Sequence, residues 1–478
     1  MYTLRPYQQD AVDAVYRHLR EKDTNPCVVI PTAGGKSLCL AQVAKDAVTK
    51  WSGRVCVLAH VKELVEQNAE KLRSICPELP VGVYSAGLDR RDTKEPVIVA
   101  GIQSVYNKID LFDPFDLVIV DEVHMVPLDG EGRYQTFLNA LKAKNPNVRL
   151  IGYTATPYRT YGGLICKPEN LFQEICYEIG IKELIAQGFI SKITSKAGTV
   201  HADLEHLHIR MGEFVADEVE AAMGEDAVVV NACREIVRLT KDRHTCLIFC
   251  TSVAHSQRVA KLVAQFSGEE CAVVTGETSP LERAETIARL RGERVNVDLF
   301  GASKPPLKYC TNCGVMTTGT DIPCIDTVVL LRPTASAGLF LQMVGRGFRL
   351  SPQTGKKECL VLDYGKNIER LGCIDQIKVK EPKSAEGEGG MLAKECPNCH
   401  ALLPLPIMLC PECGYAFPKK EARSHDEHAS DVAILSGEVT KESYDVAHVD
   451  YQVWEKRGAP PGSLKTVRVT YYVDMLNS

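Results

Sequence analysis

The chain has 478 residues, 45% of them hydrophobic and 24% charged, with a formal net charge of −5. That length calls for two to four domains, and that composition is a soluble globular protein's rather than a disordered chain's. The slightly acidic balance excludes a wholesale basic binder of the histone kind but leaves room for nucleic acid held in a local groove.

No apolar run approaches the ~18 residues that a membrane span needs. The start, "MYTLRPYQQDAV", lacks the basic and apolar regions of a secretory signal. A cytoplasmic protein with no membrane partner is expected. The 19 cysteines then read as reduced thiols, and Cys27, Cys39 and Cys56, set among apolar residues, as core.

Over residues 1–200, short β-rich runs alternate with segments of helical periodicity. "PCVVIP", "RVCVLAH", "PVIVAG", "DLVIVDE" and "VRLIGYTAT" are predicted strands; "KSLCLAQVAKDAVTK" and "VKELVEQNAEKLRSI" are predicted helices. This alternation predicts a parallel α/β sheet covered on both faces. Residues 201–228 hold "FVADEVEAAM", which reads as a linking helix. The α/β pattern returns over 229–376 with "TCLIFC", "VAHSQRVAKLVAQF", "CAVVTG", "LKYCTNCGVMT" and "TVVLLRP". Two such units side by side offer a cleft at the carboxyl ends of their strands. A charged, glycine-rich linker, "KVKEPKSAEGEGG", falls within 377–394, a cysteine-rich module follows over 395–418, and 419–478 has no assignable chemistry. Near its end, "TVRVTYYVDM" reads as one strand of a hairpin without an evident partner.

"PCVVIPTAGGKSLCL" puts Thr32, Ala33, Gly34, Gly35, Lys36 and Ser37 between a strand and a helix, the setting of a phosphate-binding loop. Backbone amides there point at phosphate oxygens. Lys36 would neutralise the β and γ phosphates of ATP, and Ser37 would hold Mg2+. "DLVIVDEVH" brings two carboxylates to the end of a buried strand. Asp121 suits the magnesium ion and Glu122 the attacking water. A ligand-free glycine turn, or two acids merely capping a strand, would account for either motif alone, but accounts poorly for the two together.

"CPNCHALLPLPIMLCPECGYAF" holds two C-x2-C pairs, Cys396 with Cys399 and Cys410 with Cys413. Four thiolates from two knuckles fit a structural Zn2+, with His400 a spare donor. The pair Cys310 and Cys313 has no second pair nearby and reads as ordinary sheet cysteines.

With these motifs in order, the chain resembles a superfamily 2 helicase of the DEAD/DEAH-like kind over roughly residues 1–375. "DEVH" resembles motif II, "GYTATPYR" motif III, "MTTGTDIP" motif V and "LFLQMVGRGFR" motif VI. "LRPYQQDAV" resembles the adenine-reading segment, and "LAHVKELVEQ" and "GIQSV" resemble motifs Ia and Ib. The resemblance implies an α/β architecture of two tandem RecA-like parallel-sheet domains followed by a small zinc-ribbon-like module. It implies a catalytic set of Lys36, Asp121, Glu122, His124, Gln342, Arg346 and Arg349. The two arginines would supply charge to the γ-phosphate from the second domain, and His124 and Gln342 would hydrogen-bond across the cleft. Nucleotide contacts implied are Arg5, Gln8 at the adenine, Thr32 to Ser37, Gly319 and Asp321. Nucleic-acid contacts implied are His60, Lys62, Gln103, Ser104, Thr154, Thr251, Ser252 and Thr317, with Thr154 and Thr156 linking hydrolysis to the strand.

Within the superfamily the chain resembles the RadD-like DNA helicases of bacteria and phages. That implies DNA repair, recombination or replication near the nucleoid, with single-strand binding protein and a RecA-type recombinase as partners. Three departures stand out: Ile30 in place of the first loop glycine together with the inverted order Ala33–Gly34, Thr320 in motif V, and an insertion, "ERVNVDLFGASKPP", over 293–306. The insertion reads as a surface loop, with a DNA-contacting hairpin the alternative. The expected activity is ATP hydrolysis coupled to movement on DNA; an RNA helicase and an ATP-switched recruitment protein stay open.

Overall fold

The computed structural model describes residues 3–127, 132–159, 163–198, 204, 206–210, 213–224, 226–296, 303–317, 320–375, 393–404, 407–417, 446–454 and 466–473. They fall into two units, Met1–Lys420 and Glu421–Ser478. No helix among the described residues is long and apolar enough to cross a membrane.

The first lobe is an eight-stranded sheet. Its order is Glu174–Glu178, Pro26–Val29, Arg149–Thr154, Leu117–Asp121, Val55–Ala59, Val97–Gly101, Val81–Ser85 and Arg90–Arg91. All neighbours are parallel except the last pair. The five strands read from the sequence are its continuous central block. Successive residues face opposite ways along a strand, so Val55 and Val57 enter one core while Cys56 and Leu58 enter the other. Such strands are apolar throughout because helices cover both faces.

The second lobe has six parallel strands in the order Lys192–Ala197, Glu358–Asp363, Thr327–Leu330, Cys246–Phe249, Tyr309–Asn312 and Cys271–Val274. The boundaries differ from those read in the sequence. Lys192–Ala197, inside the expected first domain, is an edge strand of the second sheet, in register with Glu358–Asp363. The helix Ala216–Met223 is no free linker either, because Val219 and Met223 are buried in the second lobe's core.

The insertion is a short antiparallel hairpin at its base, Val295–Asn296 against Ser303–Lys304. Its root is fixed to the helix Pro280–Leu290. Buried Arg289 donates to Pro305 O at 2.7 Å and to Glu270, and Lys304 pairs with Glu285 at 2.7 Å. The linker 377–392 lies outside the described residues. The cysteine module docks beside the second sheet's edge, where Ala197 N donates to His400 O at 2.8 Å. In the second unit, Thr466–Val473 does have a partner, antiparallel to Val446–Trp454, which corrects the unpaired strand of the sequence reading.

Candidate functional site

The strand Pro26–Val29 is buried end to end and runs through a tight loop into the helix Lys36–Trp51. Gly35 takes φ +83° and Ala33 φ +67°. Left-handed backbone at an L-residue costs ~1–2 kcal/mol, so Ala33 occupies the position where glycine would be unstrained. Gly34, by contrast, is needed for space, since a Cβ there would lie 2.5 Å from Ile30 Cγ2. Ile30 and Gly34 are thus coupled: the Ile30 side chain, with Pro31 O at 3.0 Å, fills the room above residue 34 and favours glycine there.

The segment at Arg5 holds the loop from outside. Tyr7 Oη donates to Gly34 O at 2.6 Å and Gln8 Nε2 to the same oxygen at 3.1 Å. Gln8 Oε1 accepts from Arg5 N at 3.0 Å, and Arg5 Nη1 donates to Phe189 O at 3.1 Å. Gln8 is 1% exposed. Its amide is turned onto the loop, so the residue expected at the adenine also braces the phosphate-binding turn.

Asp121 ends the buried strand Leu117–Asp121, and Glu122 turns away at φ +51°. That turn brings Glu122 Oε1 to 2.6 Å from Lys36 Nζ. Burial opposes charge at Glu122, but the Lys36 ammonium and His124 outweigh it and hold the carboxyl well below its usual range. At Asp121, burial and then the Glu122 charge push the carboxyl up. Only neutral groups are seen to donate to Asp121 among the described residues: Asn68 Nδ2 at 3.0 Å and Glu122 N at 2.9 Å. A buried carboxylate held this way, with the Ser37 hydroxyl in the first turn of the helix Lys36–Trp51 as the second oxygen, is the donor chemistry that suits Mg2+.

The second lobe closes over these groups. Gln342 Nε2, on the helix Ala337–Gly345, lies 3.3 Å from His124 Nε2. A Cβ on Gly345 would lie 2.7 Å from Thr32 Cβ, so motif VI packs directly on the loop. Asp321 reaches back towards Lys71 at 4.0 Å and Arg283 towards Glu63 at 3.9 Å. Arg346 is buried and donates to Thr320 O at 2.7 Å, which gives the unusual Thr320 a backbone role. Burial, then the like charge of Arg349, lowers its pKa, while Glu122 raises it. Arg349 Nε holds Asp321 at 2.7 Å. Gly319 lies outside the described residues.

The expected nucleic-acid contacts are less uniform. Lys62 and Gln103 are exposed, and Thr317 is half-buried. His60 Nε2 meets Tyr134 Oη at 2.8 Å, and Ser104 Oγ accepts from Ala86 N at 2.9 Å. Thr251 bonds His255 at 2.8 Å, and Ser252 caps the helix Val253–Ser267 while donating to Glu220. Thr154 is fully buried, with its hydroxyl between His124 and Thr156. Asn68 and Tyr7 were not singled out from the sequence. Asn68 does carry a signal, as a polar residue on the apolar face formed by Leu64, Val65, Ala69 and Leu72.

The four module sulfurs lie within 4.8 Å of one another, with Cys396–Cys413 and Cys399–Cys410 at 3.6 Å. Zinc with ~2.3 Å bonds to four thiolates has edges of about 3.8 Å, so the set fits that ion. Cys310 is buried on its strand and Cys313 lies beyond the strand's end. They belong to no metal-sized cluster among the described residues.

The family described as "Type III restriction enzyme, res subunit" matches residues 1–159, and the family "Helicase conserved C-terminal domain" matches 228–351. IRC3 of Saccharomyces cerevisiae, named as an ATP-dependent helicase, is 28% identical over 378 residues, covering 76% of this chain and 51% of its own. The chain thus spans about half the length of that relative. A 51.5 kDa protein of a Lactococcus phage is 24% identical over 420 residues, 86% of this chain and 82% of its own. Among solved structures, a fragment named as the HsdR subunit of a type I restriction enzyme from Vibrio vulnificus YJ016 superimposes with a TM-score of 0.58. It is 20% identical and covers 79% of this chain and 67% of its own; the likeness is one of fold.

Proposed function

Because the chain belongs to the superfamily 2 helicases, we propose that it hydrolyses ATP between its lobes and uses the cycle to move along or remodel DNA. The observation that carries this reading is the cleft itself. Lys36 and Glu122 of the first lobe, 2.6 Å apart, face Arg346 and Gln342 of the second.

ATP arriving on the loop amides gives Lys36 a phosphate partner in place of Glu122. Losing that ammonium raises the affinity of Glu122 for a proton, which is what a general base for water needs. Ser37 and Asp121 would hold Mg2+, which when bound neutralises charge on the phosphates. Arg346 and Arg349 must exchange Thr320 O and Asp321 for phosphoryl oxygens, so hydrolysis and release would loosen the seam between lobes. Repeated closing and opening, with each lobe holding a strand by its phosphates, gives stepping. The four-cysteine module would hold Zn2+ as a structural ion, with no ligand position left open for catalysis.

DNA is preferred over RNA because the first lobe matches a restriction-enzyme subunit, and restriction enzymes act on DNA. A place in repair or recombination in a bacterial or phage-infected cell extends the reading along the RadD-like resemblance and the phage relative. The test is ATP hydrolysis measured with single-stranded DNA, duplex DNA and RNA, with Lys36→Ala as control. DNA stimulation is expected. Stimulation by RNA alone would favour the RNA reading, and binding without turnover the recruitment switch.

A further inference from the structure

We propose that Lys356 is a positioning residue for the two arginines that close the cleft, an assignment that rests on the ATP hydrolysis proposed above. Lys356 lies outside every motif read from the sequence, two residues ahead of the strand Glu358–Asp363. Its Nζ converges on three backbone carbonyls: Arg349 O at 2.7 Å, Gly347 O at 2.8 Å and Pro323 O at 3.4 Å. An ammonium has three donors, so each is used. Two of these carbonyls flank Phe348 in the turn that carries Arg346 and Arg349. The third lies two residues past Asp321, the carboxylate that Arg349 holds at 2.7 Å.

Three cations therefore stitch the segment 320–323 to the segment 346–349, but they are not equivalent. Arg346 and Arg349 use the same guanidinium groups that would meet the phosphoryl oxygens, so their bonds to Thr320 O and Asp321 must break during the cycle. Lys356 grips only the main chain, and nothing in the cycle requires it to let go. It is the pivot that keeps the arginine-bearing turn in place while the side chains swing. Partial burial lowers the pKa of this half-buried ammonium, and its three carbonyl partners offset the water it gives up. Misplacing reacting groups by ~1 Å can cost about 10²-fold in rate.

The test is steady-state ATP hydrolysis with saturating single-stranded DNA in the full chain, comparing wild type, Lys356→Met and Lys356→Ala. The expected result is a fall in kcat of about 10- to 100-fold with the KM for ATP within about threefold. Propylammonium added to Lys356→Ala should recover part of the kcat, while propanol should not. A merely structural lysine would show kcat and KM impaired together, or a lowered melting temperature, with no recovery of kcat by the amine; that pattern overturns the assignment. Equal kcat in wild type and Lys356→Met overturns it too. Wild-type protein that hydrolyses no ATP would instead refute the function on which the assignment rests.

Discussion

Gln342 Nε2 stands 3.3 Å from His124 Nε2 and joins the second lobe to the paired carboxylates of the first. The amide donates, so His124 Nε2 accepts and its proton is assigned to Nδ1. There Thr154 Oγ1 at 3.0 Å receives it, with Glu122 Oε2 lying 3.3 Å away. Thr154 accepts because its own hydroxyl donates to Thr156 O at 2.9 Å. One hydrogen-bonded chain thus links motifs VI, II and III. Gln342→Ala and Thr154→Val should each lower DNA-stimulated kcat about tenfold, and the double variant should lose little more, because neighbours in one network are not additive. Independent, multiplying losses would break the chain into unrelated contacts.

Glu122→Gln keeps the shape of the side chain and removes both the base and the charge that meets Lys36 at 2.6 Å. Loss of a general base costs about 10²- to 10⁴-fold. The variant should bind ATP and DNA and turn over at under ~1% of the wild-type rate, a general-base loss, as read by rapid-quench single turnover. Normal turnover would move the base to another residue.

The loop offers a test of the coupling between Ile30 and Gly34. Ala33→Gly relieves left-handed strain of ~1–2 kcal/mol against a chain-entropy cost of ~0.5–1 kcal/mol, so melting should shift slightly upward. Gly34→Ala puts a Cβ 2.5 Å from Ile30 Cγ2 and should weaken nucleotide binding. Adding Ile30→Ala to it should restore part of that binding, with the remaining deficit set by Pro31 O, 3.0 Å from the added Cβ. Scanning calorimetry reads the first, titration calorimetry with a non-hydrolysable ATP analogue reads the other two, and a Gly34→Ala variant that binds normally would dissolve the coupling.

Legibility in the sequence follows where each residue's partner lies. The central strands of the first lobe are plain because burial on both faces makes them apolar end to end. Lys192–Ala197 is an edge strand with lysines at positions 192 and 196 and mostly half-buried residues, and only pairing with Glu358–Asp363 gives it to the second sheet. Lys36, Glu122 and Arg346 are legible because their spacing within short motifs is the chemistry. Gln8 and Thr154 have the right identity but a geometry set by tertiary contacts, at Gly34 and His124, that no local pattern carries. Lys356 has no local signature at all; its role exists only once two distant turns meet.

Cys396→Ser removes one of four thiolates. Loss of a closed site's ligand should release the metal, and the small module, with only a minor core around Ala401 and Leu403, should unfold. Elemental analysis should give one zinc per wild-type chain and close to none in the variant. Full zinc content in the variant would remove Cys396 from the site.

His255 sets a pH dependence for the second lobe. Its Nδ1 accepts from Thr251 Oγ1 at 2.8 Å, and its Nε2 has no hydrogen-bond partner among the described residues. Burial, aided by the nearby Arg258 charge and opposed by Glu220, pulls its pKa down to about 4 from the usual histidine range. The unfolded chain therefore binds a proton near pH 6.5 that the folded lobe refuses until about pH 4. Stability rises with pH wherever the unfolded state holds more protons, so this contribution is complete above pH ~6.5 and is lost as pH falls towards 4. The loss should be on the order of 2–3 kcal/mol. His255→Gln keeps an acceptor for Thr251 and cannot titrate, so denaturant melts at pH 7 and pH 4.5 should differ less in this variant than in wild type. An identical acid sensitivity in the two proteins would mean that another group carries the proton.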